Sequence, residues 1–109
     1  MEIQVKDVHE KLKEQAVNFL DVRRADEVQT TGIIAGAQWI PLDQLDEQVQ
    51  SIKSAKQAPL VIYCAGGVRS LAACKILQAH GFTQTQSMAG GLMAWMQQGF
   101  AVVPYVEEA

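Results

Sequence analysis

The sequence predicts an α/β fold, with about five strands in a mainly parallel sheet and helices on both faces. Three observations predict it. Short strand-like apolar runs alternate with amphipathic helical ones, as βαβ units require. One run, Leu60-Val61-Ile62-Tyr63, is apolar without interruption, the mark of a central parallel strand covered on both sides. Glycine punctuates the changes of pattern at Gly66-Gly67, Gly81 and Gly90-Gly91.

The elements follow in order. Ile3-Gln4-Val5 reads as a short first strand, and Asp7 is placed to cap a helix running through Val8, Leu12 and Ala16. Residues 18–22 form a buried strand ending in charge. Ala37-Gln38-Trp39-Ile40 is the third strand, stopped by Pro41, which has no N–H to give a ladder. Leu42, Leu45 and Val49 recur at helical spacing before a polar linker over 51–58. After the central strand, an alanine- and leucine-rich helix opens at Ser70-Leu71 and stops at His80-Gly81, where glycine suits the left-handed C′ position. Residues 83–88 give the fifth strand. A last helix through Leu92, Trp95 and Met96 ends at Gly99. The tail over 100–106 is expected to lie across the domain, with residues 107–109 frayed.

The 109 residues suffice for one domain, 1–109, with a real core and no room for two. Hydrophobic residues make up 49% and charged ones 19%, as in a folded protein rather than a disordered one. A net charge of −3 argues against nonspecific binding to nucleic acid or to an anionic membrane. No apolar stretch approaches a membrane span, and Met1-Glu2-Ile3-Gln4-Val5-Lys6 lacks the pattern of a signal peptide. Two cysteines give no disulfide framework, which makes a reducing cytoplasm the expected location. With two histidines and no C-x-x-C or H-x-x-x-H spacing, no metal site is expected.

The chemistry concentrates in Cys64-Ala65-Gly66-Gly67-Val68-Arg69. A cysteine there ends a buried strand and sits under a glycine-bearing loop at a helix N-terminus. Loop and helix N–H groups converge on its sulfur, and the helix dipole adds roughly half a positive charge. A free thiol with pKa about 8.5 is mostly unreactive at neutral pH; such a cradle favours the thiolate. In open α/β sheets, ligands bind beyond the carboxyl ends of the strands, where Cys64 falls. Asp21 also ends a strand, so Asp21 and Arg23 are expected beside this loop, pairing with each other or with Arg69 as a structural brace. Gly66 and Gly67 admit close approach of the backbone to an anion. Ser70 either donates toward the sulfur or simply caps the helix. Cys74, about 7.5 Å of helical rise beyond Arg69, is read as structural filler. His9 and His80 are read as incidental, and Trp39, Trp95, Met88, Met93 and Met96 as core and packing surface.

These residues resemble a known family, the single-domain rhodaneses, which are sulfurtransferases. The Cys64 loop with Ser70 matches their C-x-x-G-x-R-[ST] signature. Leu20-Asp21-Val22-Arg23 followed by Glu27 is similar to their D-V-R-x-x-x-E element. Gly32 to Ala37 and Ile40-Pro41 resemble their G-H-I-x-G-A-x-x-I-P run, with Ile33 at the usual histidine position. Gly81-Phe82 and Gly90-Gly91 with Trp95 and Gly99 match two further segments. The resemblance spans residues 21–99 and implies a rhodanese-like fold with Cys64 as nucleophile. It implies a two-step reaction: Cys64 takes sulfane sulfur from thiosulfate or a persulfide donor, then passes it to cyanide or a thiol. Ala65, Gly66, Gly67 and Val68 would bind substrate through their backbone, and Arg69 would either meet the donor or brace the loop. No cofactor is implied. The implied partners are a small sulfur donor and acceptor, or a protein persulfide donor or acceptor.

Two other readings belong beside this one. Dual-specificity phosphatases and arsenate reductases of the cell-cycle phosphatase type share the fold, but their loop is one residue longer. The four residues between Cys64 and Arg69 match the shorter sulfurtransferase spacing. A sulfur-relay module with little free-standing turnover also retains the cysteine and stays open.

Overall fold

Alternation along β4 (Leu60–Tyr63) organises the molecule. Leu60 and Ile62 face one side of the sheet and Val61 and Tyr63 the other, and all four are buried. A computed structural model describes residues 1–107. Around β4 lie β1 (Glu2–Ile3), α1 (Val5–Glu14), β2 (Phe19–Asp21), α2 (Ala25–Thr31), β3 (Gln38–Trp39) and α3 (Leu42–Leu45). A 3₁₀ turn covers Val49–Ser51, and α4 (Val68–Ala79), β5 (Thr85–Met88) and α5 (Gly91–Gln97) follow β4.

Among the described residues five strands pair in parallel in the order β1-β5-β4-β2-β3. One face packs Leu20, Ile62, Leu45, Ala73 and Leu77 beneath α3 and α4. The other packs Phe19, Val61, Val8, Leu92 and Trp95 beneath α1 and α5. The chain leaves β2 toward β3 and leaves β4 toward β5, so the direction of winding reverses between β2 and β4. A crevice opens there at the carboxyl ends, with Asp21 in register with Tyr63, one residue before Cys64.

The predicted elements hold with several corrections. The first strand stops at Ile3; Val5 already belongs to α1, whose N-cap is Gln4 rather than Asp7, and the helix ends before Ala16. Val5 and Val8 are both buried, so the core recruits Val5 into the helix stripe. The second strand shortens to Phe19–Asp21, the third to Gln38–Trp39 and the fifth to Thr85–Met88, and the helical spacing through Val49 divides into α3 and the 3₁₀ turn. Helix α2 has no counterpart in the sequence reading. Its seven residues carry one buried apolar side chain, Val28, which leaves no periodicity to read. Glu27 accepts a hydrogen bond from the Arg24 N–H at 3.1 Å, closing the helix start.

Gly81 takes the left-handed C′ position (φ +92°) after α4, with the Gly81 and Phe82 N–H groups on the carbonyls of Gln78 and Leu77. The tail lies across the domain as expected. Val103 forms an antiparallel bridge with Ile33, Phe100 stacks on His9 at 3.8 Å, and Tyr105 meets the edge of Trp39. Ile33 is thus a buried packing residue that anchors the tail, and His9 has a structural job rather than none. Of the expected frayed end, Glu107 is exposed, while residues 108–109 lie outside the described residues.

Candidate active site

Past Tyr63 the chain enters the loop that holds Cys64, 1% exposed. The sulfur accepts the Gly67 N–H at 3.1 Å, and the Gly66 and Ser70 N–H groups face it as well. Ser70 Oγ lies 3.6 Å away. The loop is aimed by α5, whose first amides take its carbonyls: Leu92 N–H donates to Cys64 O at 2.8 Å and Met93 N–H to Ala65 O at 3.0 Å. Within a planar peptide the N–H points opposite the carbonyl, so tying the Ala65 carbonyl to α5 turns the Gly66 N–H toward the sulfur. This contact requires glycine at 91, where a Cβ would stand 2.5 Å from the Ala65 carbonyl and φ is +62°. Gly67, the N-cap of α4, has φ +103°, and a Cβ there would stand 3.1 Å from the Gly90 backbone N. Gly66 is different: it has open space around it and no positive φ.

Electrostatically the site opposes two effects. Burial pushes the Cys64 thiol up; the Ser70 hydroxyl and the N–H groups of Ser70, Gly67 and Gly66 pull it down by more. The net shift is downward, as a cradle of donors around a sulfur anion requires. Helix α4 starts at Val68, two residues before the predicted start, so Ser70 sits inside the first turn and does not cap it. Its hydroxyl reaches back to Gly67 O at 3.2 Å and across to Ser87 Oγ at 2.6 Å.

The two arginines of the sequence reading part company. Arg23 is 2% exposed and binds the buried Asp21 carboxylate with Nε and Nη2, the latter at 2.8 Å. Nη1 donates to Thr31 Oγ1 at 2.7 Å and Nη2 also to Gly32 O at 2.6 Å, which ties the end of α2 to the floor of the crevice. Asp21 and Arg23 therefore brace each other and not Arg69. Arg69 makes a bidentate pair with Glu27 at 2.7 and 2.9 Å. That guanidinium, with burial working against it, holds the Glu27 carboxyl at about 2, below its ordinary 4.5. The sequence motif contains Glu27, but nothing in it announces a partner 42 residues away.

The ion pair stands between two clefts. Glu27, Thr30, Ala65, Leu92, Met93 and Met96 line one of about 300 Å³. Arg69, Arg24, Trp39, Pro41 and Leu42 line the other, about 570 Å³. Met93 (59% exposed) and Met96 (45%) are rim residues, whereas Met88 and Trp95 are core as expected. Trp39 is half-buried and donates its indole N–H to Arg23 O at 2.8 Å. Cys74 is fully buried in the α4 core and unbridged. Among the described residues, no group of three or more His, Cys, Asp or Glu is gathered to hold a metal ion, and no helix is long and apolar enough to cross a membrane.

The profile of the "Rhodanese-like domain" family matches residues 4–98. The chain belongs to that family. A rhodanese domain-containing protein of Drosophila melanogaster is 35% identical to this rhodanese-like chain, covering 87% of it and 93% of the relative. A putative sulfurtransferase of Bacillus subtilis is 33% identical, covering 86% and 88%. Among solved structures, a rhodanese-related protein from Thermoplasma volcanium superposes with a TM-score of 0.83 at 30% identity, covering 95% of this chain and 98% of that one. The rhodanese-like family is one of sulfurtransferases, and its α/β fold is the one described above.

Proposed function

We propose that this chain transfers sulfane sulfur through a persulfide on Cys64. The observation that carries the reading is the cradle itself: a buried sulfur with the Gly67 N–H at 3.1 Å, further amides aimed at it, and a thiol shifted downward by those donors. The Cys64 thiolate attacks the outer sulfur of thiosulfate. A sulfur–sulfur bond forms on Cys64 as the one in the donor breaks, and sulfite leaves with the electron pair. Cyanide or a thiolate then attacks the outer sulfur of the persulfide, giving thiocyanate or a new persulfide and returning the Cys64 thiolate. The same inward amides stabilise the starting thiolate, the anionic donor and the terminal persulfide anion. Arg69 contributes less to the donor than its charge suggests, because Glu27 already occupies its fork.

Intact-protein mass spectrometry before and after thiosulfate tests this. The expected result is a gain of one sulfur atom that cyanide removes and Cys64→Ser abolishes. No adduct from thiosulfate or from a persulfide donor would end the sulfurtransferase reading.

A further inference from the structure

Ser87 ends in a place the sulfur chemistry does not obviously need. It is fully buried on β5, on the face toward α4, and its Oγ lies 2.6 Å from Ser70 Oγ. Ser70 Oγ in turn faces Gly67 O at 3.2 Å and Cys64 Sγ at 3.6 Å. Each hydroxyl has one hydrogen to give, which makes the arrangement countable. By distance either hydroxyl could donate in this contact, but among the described residues Ser87 Oγ has no side-chain or backbone acceptor other than Ser70. A buried hydroxyl hydrogen left without an acceptor is costly, which favours donation from Ser87 to Ser70 Oγ. Ser70 then has two places for its own hydrogen, the Gly67 carbonyl or the Cys64 sulfur. With a thiol at Cys64 the carbonyl is the better acceptor. With a thiolate the charged sulfur is.

We propose that Ser87 is a positioning residue for this site: by donating to Ser70, it leaves the Ser70 hydrogen free to turn onto the Cys64 thiolate. Ser87 touches neither the sulfur nor a substrate and acts through Ser70 alone. A hydroxyl that accepts one hydrogen bond also becomes a better donor of its own, so the relay strengthens the contact it directs. The inference rests on Cys64 acting as a thiolate, but its test does not require sulfur transfer.

The test is the ultraviolet thiolate absorbance of Cys64 titrated against pH, with matching Cys64→Ser proteins subtracted to remove Cys74. Ser87→Ala is expected to raise the Cys64 pKa by about half a unit, roughly a three-fold loss of thiolate below the midpoint. Ser87→Thr, which keeps the hydroxyl on a strand that suits a β-branched residue, is expected to restore it. In a Ser70→Ala background, Ser87→Ala is expected to do nothing further. An unchanged pKa in a folded Ser87→Ala protein would overturn the proposal. So would an equal shift in both backgrounds, which would mean that Ser87 acts by packing and not through Ser70.

Discussion

Cys64 and Cys74 sit ten residues apart, on the same face of the sheet and in the same buried cluster, yet their thiols are driven in opposite directions. Both are almost wholly removed from solvent. Each has a hydroxyl nearby, Ser70 for Cys64 and Thr85 for Cys74. Burial dominates at Cys74 and pushes it up; at Cys64 burial is also the largest single effect, but the added loop amides reverse it. Burial and a hydroxyl therefore do not lower a thiol's pKa. Backbone N–H groups made available at the start of a helix do, and Cys74 lies inside α4, where the amides are already committed to the helix.

The sharpest way to break this comparison is to exchange the roles. Cys64→Ser is expected to abolish sulfur loading, while Cys74→Ser leaves it within about two-fold and costs about 1–3 kcal/mol of stability for a polar group in an apolar core. Loading by mass and unfolding by denaturant read the two. Sulfur carried by the Cys64→Ser protein would dissolve the distinction.

The next largest effect concerns the floor under the loop. Arg23→Ala strands the buried Asp21 carboxylate and is expected to cost about 3–5 kcal/mol. Reaction of Cys74 with a bulky thiol reagent reports that loss, because Cys74 is reached only when the core opens. A loss below 1 kcal/mol would mean that the pair is not the brace described.

Gly91→Ala separates the site from the core. Its Cβ meets the Ala65 carbonyl and its φ is positive, so the loop is expected to shift away from α5 at a cost of about 1–3 kcal/mol. The Cys64 titration should move upward with it while Cys74 keeps its burial. An unmoved Cys64 titration in this variant would show that α5 does not aim the amides.

The smallest effect lies at the outer ion pair. Glu27 is depressed from 4.5 to about 2, so its contribution to stability is complete above the ordinary value and is lost as pH falls toward about 2. Glu27→Gln is expected to remove that acid limb and to cost about 1 kcal/mol at neutral pH. Denaturant midpoints at pH 7 and pH 3 check it: the gap between wild type and variant should narrow at the lower pH.

Local signals in the sequence were enough for β4, for the glycine stop after α4 and for Cys64 at the start of a helix. An unbroken apolar run, a left-handed cap and a strand–glycine–helix junction are consequences of a few neighbouring residues. The same locality explains why the sequence pattern overruns β1, β2, β3 and β5 by a residue or two: an apolar pattern does not show where ladder pairing ends. Helix α2 could not be read, because what holds it is not an apolar stripe. It rests on one buried valine and on polar ties, Arg23 to Thr31 and Gly32 and Glu27 to Arg69. The partner of Arg69 likewise needed the fold: the sequence pointed to Asp21 or the donor, and the pairing with Glu27 depends on a distance that charge alone does not record.

By itself, then, the sequence determined a parallel α/β sheet and the cysteine at its centre, since both follow from short-range periodicity and backbone constraint. Only the tertiary structure decided that Arg69 faces Glu27, that α5 turns the loop amides inward, and that Ser87 meets Ser70. Each of these joins segments that β-sheet pairing brings together, and a hydrogen bond between distant segments depends on ångström distances that no local pattern encodes.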